Sequence, residues 1–188
     1  MTEHLQKTYT GLRAREVLSQ NRTFVRCNFT DCTFENLLLR NNEFENCSFN
    51  DCSFKQISHS FLRINDVIFR NCFIQGTSFD NISFPHSVSF YNCRLNLVDF
   101  FNMDLQKSTF SNCSFRECSF ADCNLKKSNF TNSHFSYSEF RRVNLSYCDF
   151  SETEGLDINH EINTVVGITL PQDAANKILK RMKIFIAG

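Results

Sequence analysis

The sequence predicts an all-β solenoid closed by a short C-terminal helix. Three observations predict it: a five-residue period over about 22–154, an in, out, in alternation within each block, and a turn-forming Asn or Asp two residues after each block's centre.

The period is set by apolar centres. The blocks CNFTD, CTFEN, LLLRN, NEFEN, CSFND and CSFKQ follow one another without a gap from Cys27 to Gln56. From Phe24 to Phe84 the central residue is Phe, Leu or Ile at twelve of thirteen positions, including Phe29, Phe34, Phe49 and Phe54. The exception, His59, is expected to mark a local bulge that turns the imidazole outward. One residue is inserted within 85–89, and the centres then run to Phe150 without a slip through Phe110, Phe115, Phe120 and Phe130.

The alternation follows from what flanks the centres. All ten cysteines, among them Cys27, Cys32, Cys47, Cys52, Cys113, Cys118 and Cys123, stand two residues before a centre, and the intervening residue is usually polar. Three alternating residues make a minimal strand with two side chains facing one interior. Asp31, Asn36, Asn41, Asn46 and Asp51 hold the corner position, where a short polar side chain bonds nearby backbone and tolerates unusual dihedrals. Straight sides that turn in one sense wind into stacked coils. Leu105, Leu125 and Leu145 recur at twenty residues, which points to four sides per coil. The expected rod is about 30 Å long at ~4.8 Å per coil.

This architecture decides how the run CSFRECSFADC at 113–123 is read. A zinc site needs four converging ligands, whereas successive blocks place their thiols on different walls. The cysteines are therefore expected to pack as small apolar side chains, with no metal and no cofactor. His4, His59, His86, His134 and His160 are scattered, and no nucleophile–base grouping or phosphate-binding loop stands out. No catalytic residue is expected, so the chain reads as a non-enzyme.

Twenty basic and twenty acidic residues cancel, which gives no electrostatic case for direct nucleic-acid binding or for a membrane surface. The N-terminus has no basic-then-apolar signal pattern, and a cytoplasmic location with reduced thiols is expected. Residues 1–21 are expected to form an N-terminal cap, 22–154 the β-helix, and 155–188 a capping and dimerisation segment with its helix near 171–183. In that helix Asp173 lies near the N-terminus and Lys180 and Arg181 near the C-terminus, complementing the dipole. Ile178, Leu179 and Met182 form an apolar stripe, flanked by Ile168 and Leu170 before it and Ile184 and Phe185 after it. These seven residues are the candidate dimer interface. The outward Phe73, Tyr91 and Phe101, with Pro85 and His86 at the insertion, are the candidate partner surface.

The tandem small–polar–Phe/Leu–x–x blocks over about 22–154 resemble the pentapeptide-repeat family, which implies a right-handed quadrilateral β-helix. The runs LQKSTFSNCSFRECSF, SEFRRVNLSYCDFSETEGLDIN and ILKRM, the tail and the inserted residue are similar to members that give immunity to microcin B. That resemblance implies a homodimer, joined through its C-terminus, that binds DNA gyrase and protects it from a gyrase-poisoning peptide toxin, with partial mimicry of duplex DNA. Two alternatives are a quinolone-resistance protein of the same family and a solenoid adaptor for another protein. Residues 27–155 carry 15 acidic and 11 basic side chains, a net charge of −4, so any acidic face is confined to part of the rod.

Overall fold

The computed structural model describes residues 2–16, 18–80, 82 and 88–185. They form a parallel β-solenoid of four walls. Registers such as Phe24↔Phe44, Phe29↔Phe49, Phe34↔Phe54 and Leu39↔His59 fix twenty residues per coil. We name the walls I to IV in that order. Across the insertion the spacing becomes twenty-one, Phe69 standing opposite Phe90. Pro85, His86 and most of the inserted segment lie outside the described residues.

Coil-to-coil hydrogen bonds satisfy the backbone at both straight sides and corners. Ser48 N–H donates to Cys27 O at 3.0 Å and Asp51 N–H to Arg70 O at 2.9 Å. The corner residues adopt left-handed φ near 50–60°, as Asp31 (52°), Asn36 (52°) and Asn71 (53°) do, which is why Asn and Asp recur there. In the C-terminal half several corners also close an i to i+3 bond, Ser128 N–H to Leu125 O at 2.9 Å. With Lys127 left-handed at the third position, that is a type II turn. Residues 2–20, assigned to a cap on sequence grounds, wind as a further coil: Thr2–Leu5, Thr8–Thr10, Arg13–Arg15 and Leu18–Gln20 pair with the strands twenty residues later.

Phenylalanine rings stack up each wall. Phe100 and Phe120 stack at 4.6 Å, and Phe110, Phe130 and Phe150 at 4.7 Å steps. Rings on adjacent walls meet edge to face, Phe115 and Phe120 at 5.8 Å. Both arrangements suit the ring quadrupole. Of the core centres named from sequence all are buried except Phe54, which is half-buried. All ten cysteines are free and buried, and each thiol faces backbone. Cys118 Sγ donates to Leu95 O at 3.2 Å and Cys148 Sγ to Leu125 O at 2.9 Å. Ser128 and Ser133 make the same bond with their hydroxyls at 2.7 Å. Burial pushes the thiols of Cys47, Cys118 and Cys123 up to about 11 and that of Cys148 to about 12, far from reactive thiolates.

His59 does not bulge outward. Its strand, Ser58–Ser60, keeps register with Leu38–Arg40, so His59 faces the interior with its side chain 5% exposed. Nε2 reaches Ser78 O at 2.9 Å and lies 3.5 Å from the Asp80 carboxylate. Ordered pairing in this position satisfies the ring through the next coil's backbone, so the imidazole needs no bulge to reach a partner.

Walls I and II persist into the tail through the bridges Asn144↔Thr164 and Asp149↔Thr169. The helix α1 (Gln172–Arg181) then folds back on the last coil. Pro171 precedes it as the N-cap, where the missing N–H costs nothing. Ala174 is buried in the core, with Ile178 packed beside it. Lys177 Nζ donates to Leu156 O at 3.1 Å, and Arg181 clamps the Asp157 carboxylate at 2.6 and 2.8 Å while also bonding Ile158 O. No helix among the described residues is long and apolar enough to cross a membrane.

Candidate partner surface

The strand pattern sends one residue on each side of a centre outward, and outward residues twenty apart form vertical rows. Several rows are ion-paired between coils: Arg15–Glu35 at 2.6 Å, Arg63–Glu43 at 2.9 Å and Arg142–Asp122 at 2.6 Å, with Arg13 bonded to Asp31. Being exposed, each contributes at most about 1 kcal/mol. Their larger effect is on the field: they cancel carboxylates that a continuous acidic stripe would require. In the Arg142 pair, the guanidinium bonding Asp122 holds that carboxyl below the usual carboxylate range.

The predicted partner residues divide between two places. Phe73 and Tyr91 flank the corner between walls II and III on successive coils, and arginines from the adjoining coils cover both rings. Arg94 lies 5.6 Å from the Phe73 centroid and Arg70 5.5 Å from that of Tyr91. Such cation–π contacts occupy the ring faces within the protein itself. Phe101 is elsewhere, on wall IV, with Asp80 beneath it and Ala121 above in register. It is 43% exposed. Ser78, Ser119 and Ala121 are small, so this wall has a shallow hollow rimmed by Asp80, Asp99 and Arg141 with Phe101 inside it. Wall IV is thus where an exposed aromatic ring and carboxylates come together. The structure does not join Phe101 to Phe73 and Tyr91.

The corners hold further exposed residues. Phe61 (78% exposed), Leu97 and Tyr137 (87%) sit at left-handed φ of 53–54°. Large side chains there oppose the local preference, and residues held against preference cluster at functional sites. Phe61 lies in the irregular ISHSFL run, where the repeat consensus fades, so periodicity alone does not mark it. Tyr147, also at a corner, is different: Gly167 approaches its ring closely and Lys126 lies 5.9 Å from its centroid. Of the candidate dimer residues, Ile168, Leu170, Ile178 and Leu179 are partly covered, while Met182, Ile184 and Phe185 are exposed, Phe185 at 83%. Among the described residues no cluster of His, Cys, Asp or Glu has metal-site geometry.

Comparison with known proteins places this geometry. The model for the pentapeptide repeat region matches residues 85–160. McbG of Escherichia coli is 57% identical over 115 residues, a match that takes in 61% of this chain and 62% of McbG. Trypsin-treated QnrB1, described as a plasmid-mediated fluoroquinolone resistance protein, superposes with a TM-score of 0.64 over 100% of this chain and 99% of its own, at 17% identity. The last match speaks to the fold, and the first two to descent. Residues 85–160 thus match the pentapeptide repeat region, and over 115 residues the chain is similar to McbG.

Proposed function

We propose that this chain is a non-enzymatic immunity protein. In this reading it binds DNA gyrase as a rod-shaped homodimer and protects the topoisomerase from a peptide toxin of the microcin-B type. The observation that carries the reading is the 57% identity to McbG. The QnrB1 match reaches the same architecture at 17% identity, so shared fold alone does not require such sequence agreement. This difference favours toxin immunity over quinolone resistance.

Wall IV is the proposed gyrase-facing surface, with Phe101 as its anchor, since buried aromatic anchors dominate interface energetics. Mimicry of DNA is proposed for the Asp80–Asp99 part of that wall, where the two carboxylates rim the hollow that holds Phe101. The exposed Met182, Ile184 and Phe185 are the proposed centre of a two-fold interface. Capture of purified gyrase by the immobilised chain tests the reading. Wild type retains gyrase, and Phe101→Asp weakens retention about tenfold or more. No retention of gyrase beside capture of an unrelated protein would make the chain an adaptor instead.

A further inference from the structure

The two halves of the solenoid axis are filled differently. From Phe90 onward the inward centres are all buried, most of them completely, as Phe110, Phe115, Phe120 and Leu125 show. In the N-terminal half, wall IV supplies Ser19, Leu39 and His59 where later coils supply Phe79, Phe100 and Phe120, and wall III begins with Ala14. The missing rings leave an axial cavity of about 190 Å³ that extends from the first coil to Phe79. Inward-facing Leu39, Phe44 and Phe54 remain only partly buried beside it. An apolar cavity of about 150 Å³ is large enough to stay dry and bind benzene.

The outer end of the cavity lies in the first coil, where His4, Tyr9, Ala14 and Ser19 are half-buried and Arg22 completes the rim. Here the chemistry changes. Lys7 and Arg22 occupy the block position that Cys27, Cys32 and Cys47 fill higher up. Tyr9 Oη lies 2.7 Å from His4 Nδ1, and the other ring nitrogen, Nε2, is buried without a hydrogen-bond partner. An unpaired buried polar nitrogen is destabilising, and a ligand group that pairs with it is favoured. Burial, Lys7 and Arg22 together hold His4 below its usual pKa, which marks the rim as electropositive.

We propose that this cavity binds a straight-chain carboxylate of medium length. The alkyl tail enters the Phe-lined shaft, where its burial is favourable. The carboxylate stays at the rim, pairing with Arg22 and selecting the His4 tautomer whose Nε2–H it accepts from. An apolar shaft ending in a cationic rim beside an unpartnered nitrogen matches this class better than a neutral hydrocarbon, which would leave Nε2 unpaired.

Calorimetric titration of the full chain with octanoate, 1-octanol and acetate tests the proposal. Octanoate is expected to bind saturably with one site per chain, and acetate not to bind. Arg22→Gln is expected to weaken octanoate about tenfold and leave 1-octanol unchanged. Leu39→Phe, which restores a ring to wall IV, is expected to abolish binding of both. Ala14→Leu, which narrows the entrance, is a second blocking variant and decides the matter if Leu39→Phe does not fold. Absence of saturable octanoate binding to the wild type, or undiminished binding to a folded blocking variant, would overturn the proposal.

Discussion

Corners are where single residues matter most, because every coil needs four turns through a backbone region that L-residues resist. Gly155 is the extreme case. At φ +72° a Cβ there would stand 1.9 Å from Phe135 O, a backbone atom that cannot move aside. Gly155→Ala is therefore expected to destabilise by about 2 kcal/mol or more, measured as a lower urea midpoint with the C-terminal coil opening first. Leu97 tests the opposite sign: it is half-exposed at φ 53°. Leu97→Asn is expected to raise stability by about 0.5–1 kcal/mol. A fall in the melting temperature would show that Leu97 makes an intramolecular contact outweighing its strain. The Asn and Asp corners were legible in the sequence because those residues bond their own backbone. Phe61 and Leu97 were not, because nothing local tells a strained apolar corner from a surface substitution. His59 misled for a related reason: its partners, Ser78 O and the Asp80 carboxylate, come from the next coil, and a single block does not show what its neighbour offers.

Among the elements, the strands and the helix differ in what holds them. The strands follow from repetition: equal spacing of Phe and Cys forces equal coils, and the walls, the twenty-residue register and the packed thiols were all readable from it. The helix boundaries and dipole charges were readable too, but not its docking, since Arg181 finds Asp157 in a tail that has no repeat. Hydrogen bonding from Arg181 holds the Asp157 carboxyl below the usual carboxylate range. A depressed folded pKa adds stability above the unfolded value near 4 and loses it as pH falls through the folded value. The pair is half-exposed, which limits the contribution to about 1 kcal/mol. Amide protection factors in 172–181, referred to the intrinsic rate at each pH, are accordingly expected to fall below about pH 4. Arg181→Ala should exchange faster at neutral pH and lose the acid-dependent step. An acid step of unchanged size in that variant would place its origin at another carboxylate.

For the whole molecule, the rod is a scaffold whose walls carry different surfaces. The axis was legible from the Phe column. Its incomplete filling was not, since the gaps at Ser19, Leu39 and His59 matter only once those residues are stacked on one wall. The choice of wall IV as partner surface likewise depends on register, which sets Phe101 between Asp80 and Ala121. At the C-terminal end, Met182 and Phe185 are exposed, and the proposed dimer makes them its contacts. Sedimentation equilibrium is expected to give a dimer for the wild type and a monomer for Met182→Glu/Phe185→Glu. A dimer that survives this pair of changes would move the interface elsewhere. The proposed protection of gyrase is tested most directly by a supercoiling assay in the presence of microcin B. Added wild-type protein is expected to restore supercoiling in a concentration-dependent way, and Phe101→Asp to restore it poorly. Failure of the wild type to restore supercoiling at any concentration, with the toxin fully active, would contradict it.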